Sequence, residues 1–189
     1  GKTCAFGIPM LEYVQLNEPE VQEVVLAPTR ELALQIGDEL TKLAKYIKGC
    51  RIAVLYGGQP IPKQLAALKR KPQILVATPG RLLDHMNRGN VHLNAVHTMV
   101  LDEADEIIKT SGDTEDSPIT ALKSLPSGRF KLVMAGLHNV SRYHREMMHE
   151  NSNLIHLNWI VIKQFRREEA TKLLTCTLSY LGFRFNQDI

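Results

Sequence analysis

Three times in the first ninety residues a short apolar run breaks into a polar turn carrying proline or glycine, and a helical pattern follows at once. Val24-Val25-Leu26-Ala27 runs into Pro28-Thr29-Arg30, residues 52–56 into Gly57-Gly58, and Ile74-Leu75-Val76-Ala77 into Thr78-Pro79-Gly80-Arg81. Runs with so little polar alternation suit strands covered on both faces, and strands that alternate with helices suit parallel pairing through right-handed crossovers. The first intervening helix is the clearest. Leu32, Ile36, Leu40, Leu43 and Ile47 lie on one stripe behind Thr29, which has the chemistry of an N-cap. Residues 59–71 read as a helix with basic ends, and a further helix runs from the Thr78-Pro79-Gly80-Arg81 turn through Met86. The fold class is α/β, a mostly parallel, doubly wound sheet.

In such a sheet the three turns emerge on one edge. Each alone is ordinary punctuation between strand and helix. Together they form a surface of helix N-termini, backbone N–H groups and two arginines, which fits the phosphates of a nucleic-acid backbone without reading its bases.

A fourth apolar run ends differently. Val96-His97-Thr98-Met99-Val100-Leu101 stops at Asp102-Glu103-Ala104-Asp105, three carboxylates within four residues. Acids so close together repel unless a cation sits among them, and Mg²⁺ carrying nucleotide phosphates would serve. An acidic helix N-terminus, complementing the helix dipole, accounts for the same residues. Gly1-Lys2-Thr3, leading into an apolar segment from Cys4 to Leu16 that reads as a helix kinked or re-started at Pro9, has the form of the second half of a phosphate-binding loop. There lysine meets the β- and γ-phosphates and the threonine hydroxyl meets Mg²⁺. A phosphate loop followed about a hundred residues later by a strand-end Asp-Glu is the order used by P-loop NTPases, so each motif strengthens the other.

Composition permits this reading and excludes others. With 189 residues, 44% of them hydrophobic and 23% charged, the chain suits one globular domain with a real core. No apolar run approaches the ~20 residues of a membrane span, so no membrane role is expected and a cytoplasmic setting is. Cys4, Cys50 and Cys176 are odd in number and lack metal-ligand spacing, which agrees with a reducing compartment. The net charge of +3 allows a polyanionic partner without demanding one. His144 and His149, five apart, do not share a helical face as a zinc pair would.

Ala27-Pro28-Thr29-Arg30-Glu31-Leu32-Ala33, Gly57-Gly58, Ala77-Thr78-Pro79-Gly80-Arg81-Leu82 and Val100-Leu101-Asp102-Glu103-Ala104-Asp105 resemble, in order and spacing, the motifs of the first RecA-like domain of DEAD-box RNA helicases. Phe6-Gly7-Ile8-Pro9 and the run before Asp102 further resemble the bacterial cold-shock and RNA-decay branch. The resemblance implies a RecA-like P-loop domain that uses ATP and Mg²⁺. Gly1, Lys2 and Thr3 would hold the nucleotide phosphates, Thr3 and Asp102 the metal, and Glu103 the attacking water. Pro28, Thr29, Arg30, Gly58, Thr78, Gly80 and Arg81 would follow the backbone of single-stranded or locally duplex RNA, whatever its sequence. Asp105 would couple the two sites through the residues at Ala135 and Leu137.

The chain departs from the family pattern in three places. It opens inside the phosphate loop, so it reads as a domain truncated there. Ala135-Gly136-Leu137 stands where the family has Ser-Ala-Thr, which removes both hydroxyls near Asp105. Residues 111–118 are polar and acidic where the family has an apolar helix, and read as a loop before a helix capped by Ser117 with Pro118 at its first position. Residues 1–160 are expected to form the ATP-binding domain, and 161–189 the linker and start of a second RecA-like domain that would partner the first. The function expected is RNA-stimulated ATP hydrolysis coupled to local unwinding, with a chain of these residues alone expected to turn over little ATP. An ATP-regulated RNA clamp with impaired unwinding is the alternative that Ala135-Gly136-Leu137 favours.

Overall fold

The computed structural model describes residues 2–104, 106–107 and 131–135. Five strands, β1 (Glu23–Leu26), β2 (Ile52–Leu55), β3 (Ile74–Ala77), β4 (Thr98–Asp102) and β5 (Lys131–Ala135), form one sheet in the order β2-β3-β1-β4-β5. Every pairing is parallel, and Val25 of β1 is in register with Val76 of β3 and Val100 of β4. The helices are α1 (Lys2–Tyr13), α2 (Arg30–Leu43), α3 (Ile61–Leu68) and α4 (Pro79–Asn87).

The alternation of side chains along the strands divides the core into two layers. Val24, Leu26, Leu55, Leu75, Ala77, Met99 and Leu101 pack with Leu82 of α4 and with Val91, Leu93 and Val96. Val25, Ile74, Val76 and Val100 pack with Phe6, Met10 and Leu11 of α1 and with Ala33, Ile36 and Leu40 of α2. β1 and β3 are buried along their whole length, as their unbroken apolar runs require. Each large aliphatic side chain hidden here stabilises the fold by about 1.5–3 kcal/mol. The layer of α1 and α2 is tight. A Cβ on Gly37 of α2 would lie 2.4 Å from Val54 Cγ2, so only glycine lets the helix sit this close to β2.

The helices begin and end close to the sequence expectation. Thr29 caps α2, its Oγ1 accepting from Leu32 N–H at 3.3 Å. α1 runs unbroken through Pro9. α3 is shorter than the basic-ended helix expected over 59–71: Pro60 and Pro62 set its start, and it is over by Leu68, with Lys71 in the left-handed region at φ 54°. In a parallel sheet all carboxyl ends face one way. The turns after β1, β2 and β3 and the acids after β4 therefore share one edge, the edge where open α/β sheets bind ligands.

Candidate functional site

Asp102 is the last residue of β4, and its place in the strand puts it on the face shared by Val100, α1 and α2. It is buried, and burial raises its pKa above the usual carboxylate range. Lys2 and the N–H of Glu103, which donates to Asp102 Oδ1 at 3.1 Å, act against that rise. Glu103 follows with φ 52°, a conformation that costs a residue with a side chain roughly 1–2 kcal/mol. Its carboxyl is also raised, first by desolvation, then by Glu106 and Asp102, with Lys2 opposing. A carboxylate whose pKa is raised is a stronger base than an ordinary one, which suits it to taking a proton from water.

The start of α1 meets this strand end. Thr3 is buried, and its hydroxyl beside Glu39 of α2 is the largest cause of that carboxyl's lowered pKa. Gln35 Nε2 adds a hydrogen bond to Glu39 Oε1 at 3.1 Å. Lys2, Thr3, Glu39, Asp102 and Glu103 thus form one cluster of mixed charge. It suits a hydrated divalent cation carrying a nucleotide: such an ion needs one or two carboxylates and keeps water and phosphate for its other positions. A buried carboxylate with a raised pKa is also stabilised in its charged form by a nearby cation. Among the described residues there is no group of three or more His, Cys, Asp or Glu arranged to hold a metal without such help.

The three turns are joined by Arg30 and Arg81 acting on residues that carried no role at the level of sequence. Arg30 is exposed and lies over the Tyr56 ring, 5.2 Å from its centroid. Gly58, at φ 83°, lies beneath the same guanidinium, where a Cβ would be 3.6 Å from Arg30 Nη1. Gln59 Nε2 donates to the Tyr56 hydroxyl at 3.1 Å, while Arg81 Nη1 donates to Gln59 O at 3.0 Å. Arg81 also faces Asp84 at 3.9 Å, with 15% of its side chain exposed, so much of its donor capacity is spent inside the protein. Below these residues, buried Gln64 donates to Tyr56 O at 2.8 Å and pairs with buried His85 Nε2 at 2.8 Å. Asn90 Nδ2 lies 3.3 Å from His85 Nδ1. Burial lowers the pKa of His85, so it is the neutral ring that donates to Gln64 through Nε2 and accepts from Asn90 at Nδ1.

Pro28 is half-buried, and Thr78 begins α4 without a side-chain cap; Pro79 has no N–H and the Arg81 N–H donates to Thr78 O at 3.1 Å, so among the described residues the Gly80 N–H is the first-turn donor without a partner. Gly80 is exposed, with nothing within 4 Å of where a Cβ would stand. Ala135 ends β5 directly in register with Asp102. Gly1, Asp105 and Leu137 lie outside the described residues. Signals for the missed residues were faint but present. Gln64 is the buried residue of α3, a polar side chain on the inward face, and His85 stands three positions after Leu82 on the buried stripe of α4.

This edge is that of a RecA-like helicase domain. Residues 1–137 match the DEAD/DEAH box helicase family, and the chain belongs to it. Its relatives include the DEAD-box ATP-dependent RNA helicase CshA of Geobacillus kaustophilus, 47% identical over 135 residues, which are 71% of this chain and 28% of that protein. That similarity agrees with the bacterial cold-shock branch. Among solved structures, a DEAD box protein from the hyperthermophile Methanococcus jannaschii has a TM-score of 0.72 at 32% identity, covering 94% of this chain and 49% of that one. The S. cerevisiae Dbp5 variant bound to RNA and ADP BeF3 has a TM-score of 0.64 at 30% identity, covering 84% and 39%. The chain spans 20–28% of the length of the first curated relatives it matches. No helix among the described residues is long and apolar enough to cross a membrane.

Proposed function

We propose that this chain is the ATP-binding RecA-like domain of an ATP-dependent RNA helicase, with residues 1–160 as the domain and 161–189 as the linker into a second RecA-like domain that completes the ATP site. One observation carries the reading. A single edge of one parallel sheet holds both a Lys-Thr-Asp-Glu cluster and a row of three phosphate-type turns. Lys2 and Thr3 hold the phosphates of ATP, Thr3 and Asp102 hold Mg²⁺, and Glu103 orients a water and accepts its proton. When bound, Mg²⁺ neutralises charge on the phosphate oxygens. Arg30, Gly58 and the N–H of Gly80 at the start of α4 grip the RNA backbone, whatever its sequence. Pro28, Thr29 and Thr78 shape the turns, and Arg81 braces them as well as adding positive charge. The protein works in the cytoplasm.

The test is binding of fluorescein-labelled single-stranded RNA by Arg30→Glu combined with Gly80→Glu, a pair that leaves the Arg81 brace in place. Affinity at low salt should fall at least about tenfold, and the salt dependence should weaken by the ~0.7 that each lost single-strand phosphate contact contributes. Unchanged affinity would remove the carboxyl edge as the RNA track.

A second reading, an RNA clamp with weakened coupling, has its own support in Ala135. Ala135 ends β5 in register with the last residue of β4 and carries a methyl group where the family pattern has a hydroxyl, so one of the two hydroxyls that the coupling residue Asp105 would use is absent from the strand bordering the acidic motif.

A further inference from the structure

The net charge of +3 hides a large imbalance. From Thr41 to Leu83 the sequence carries nine lysines and arginines and no aspartate or glutamate. Of the chain's 23 basic and 20 acidic residues, this leaves 14 basic against 20 acidic for everything else. The stretch covers the end of α2, the edge strand β2, α3, β3 and the start of α4, so the excess charge is confined to one flank of the sheet.

Only Lys63 and Arg81 belong to segments at the carboxyl edge; Lys42, Lys45, Lys48, Arg51, Lys69, Arg70 and Lys71 fall at the opposite pole, where β2 and β3 begin. Two loops meet there. Arg51 Nε donates to Lys71 O at 2.9 Å and Arg51 Nη1 to Gly49 O at 3.2 Å, so the segment holding Lys45, Tyr46 and Lys48 is fastened to the segment holding Lys69, Arg70 and Lys71. Those six side chains are exposed, and among the described residues none of the five cations has a carboxylate within ion-pair distance. Tyr46 is 84% exposed, with Lys45 Nζ 5.4 Å from its ring centroid. Glu12 at the end of α1 and Glu18 and Glu20 on the segment leading into β1 also stand at this pole, but none of them lies within ion-pair distance of these cations.

Five unpaired cations on two fastened loops cost self-repulsion unless an anion shares them, and a bare tyrosine among them exposes an apolar face of the kind on which bases stack. A discrete anion would need a concave cradle, whereas an open row of cations around an aromatic ring matches a polynucleotide. We infer that this pole is a second nucleic-acid surface, which takes a strand segment outside the carboxyl-edge grip, with Lys45, Lys48, Lys69, Arg70 and Lys71 on phosphates and Tyr46 under a base. The inference goes beyond the proposed function and rests on it only in taking RNA as the ligand.

The experiment compares an RNA of about 8 nucleotides, inside the ~4–16-nucleotide site of a single binding fold, with one of about 30. Both are titrated by anisotropy against the whole 189-residue chain, the quadruple variant Lys45→Gln, Lys48→Gln, Arg70→Gln, Lys71→Gln, and Tyr46→Ala. All these positions are exposed, and circular dichroism confirms that each variant is folded. The long RNA should bind the parent at least tenfold more tightly than the short one after allowance for overlapping sites. The quadruple variant should lose that advantage and about 2–3 of the salt slope, and Tyr46→Ala should lose about tenfold, while the short RNA is unaffected by either. If the quadruple variant binds long RNA like the parent, the inference is overturned. It is equally overturned if polyglutamate occupies the patch and RNA does not, since the surface would then serve an acidic protein. Failure of the parent to bind the short RNA counts against the carboxyl-edge reading, whatever the long RNA does.

Discussion

Glu23 is the first residue of the central strand β1 and is fully buried between Ile74 of β3 and Thr98 of β4. Among the described residues, neither carboxyl oxygen has a hydrogen-bond partner. The nearest base, His97, lies 3.9 Å from Oε1, and its Nδ1 is within 3.0 Å of Thr98 Oγ1. Desolvation, only partly opposed by Lys131, raises the Glu23 pKa from 4.5 to about 8. A raised carboxyl pKa means that the folded chain holds a proton the unfolded chain gives up, so between pH 4.5 and 8 stability falls as pH rises. The slope is at most about 1.4 kcal/mol per pH unit, which makes the cost roughly 3 kcal/mol at pH 7 and between 4 and 5 above pH 8. His97 contributes with the opposite sign. Burial, then Lys131, lowers its pKa, so the unfolded chain binds the extra proton and stability from this group is lost as pH falls below 6.5. Above pH 6.5 the His97 contribution is largely spent, and the difference between the parent and Glu23→Gln removes groups common to both, among them Asp102, Glu103 and Cys50. Urea unfolding of the parent and of Glu23→Gln at pH 6.5, 7.5 and 8.5 should show the parent losing about 2 kcal/mol more than the variant across the series. The variant should also be the more stable at pH 8.5, because an amide carries no charge to bury. Parallel lines for the two proteins would refute the reasoning, since they would mean that Glu23 keeps one protonation state throughout or titrates alike in both states.

Gln64→Leu should destabilise the chain by at least about 2 kcal/mol, because it strips both Tyr56 O and His85 Nε2 of a buried partner. RNA affinity of the folded fraction should fall with it as the turn beneath Arg30 loosens; a loss under about 1 kcal/mol by urea titration would show that water replaces the amide. In a longer protein with a complete phosphate loop and second domain, Ala135→Ser with Leu137→Thr should raise duplex separation far more than ATP turnover. An equal rise in both, or none in either, would count against the clamp reading.

How far the sequence could be read depended on whether the signal was periodic or relational. Strands β1 to β4, the cap at Thr29 and the shared edge followed from apolar runs and from turn chemistry, which are local properties, whereas β5 was not read as a strand. The early end of α3 did not, because the helical pattern continues through Lys69-Arg70-Lys71 although that turn is not helical. Tyr56, Gln59, Gln64 and His85 were silent for a different reason. Each acts through a partner between 3 and 26 residues away, and a glutamine on a buried stripe says nothing of what it touches until the crossover from β2 to β3 has been built. Glu39 shows the same limit, since only the packing of α1 on α2 brings it to Thr3. The basic flank was visible in the sequence, but an overall charge of +3 averaged it away.

Glu23 and Asp102 show what separates a site from a liability. Both are buried carboxyls on neighbouring strands of one sheet, and desolvation raises the pKa of each. At Glu23 none of the described residues donates a hydrogen bond, so its carboxyl settles the conflict by keeping its proton. At Asp102 the N–H of Glu103 and the charge of Lys2 both favour the anion, and the edge opens to a ligand that can add more positive charge. The Glu103 N–H reaches Asp102 Oδ1 from a residue at φ 52°, a conformation that itself costs roughly 1–2 kcal/mol. Strain of that size at a strand end has no structural return that glycine would not give more cheaply. It is explained if the carboxylate of Glu103, and not merely its backbone, is needed beside Asp102, which is what the proposed hydrolysis requires.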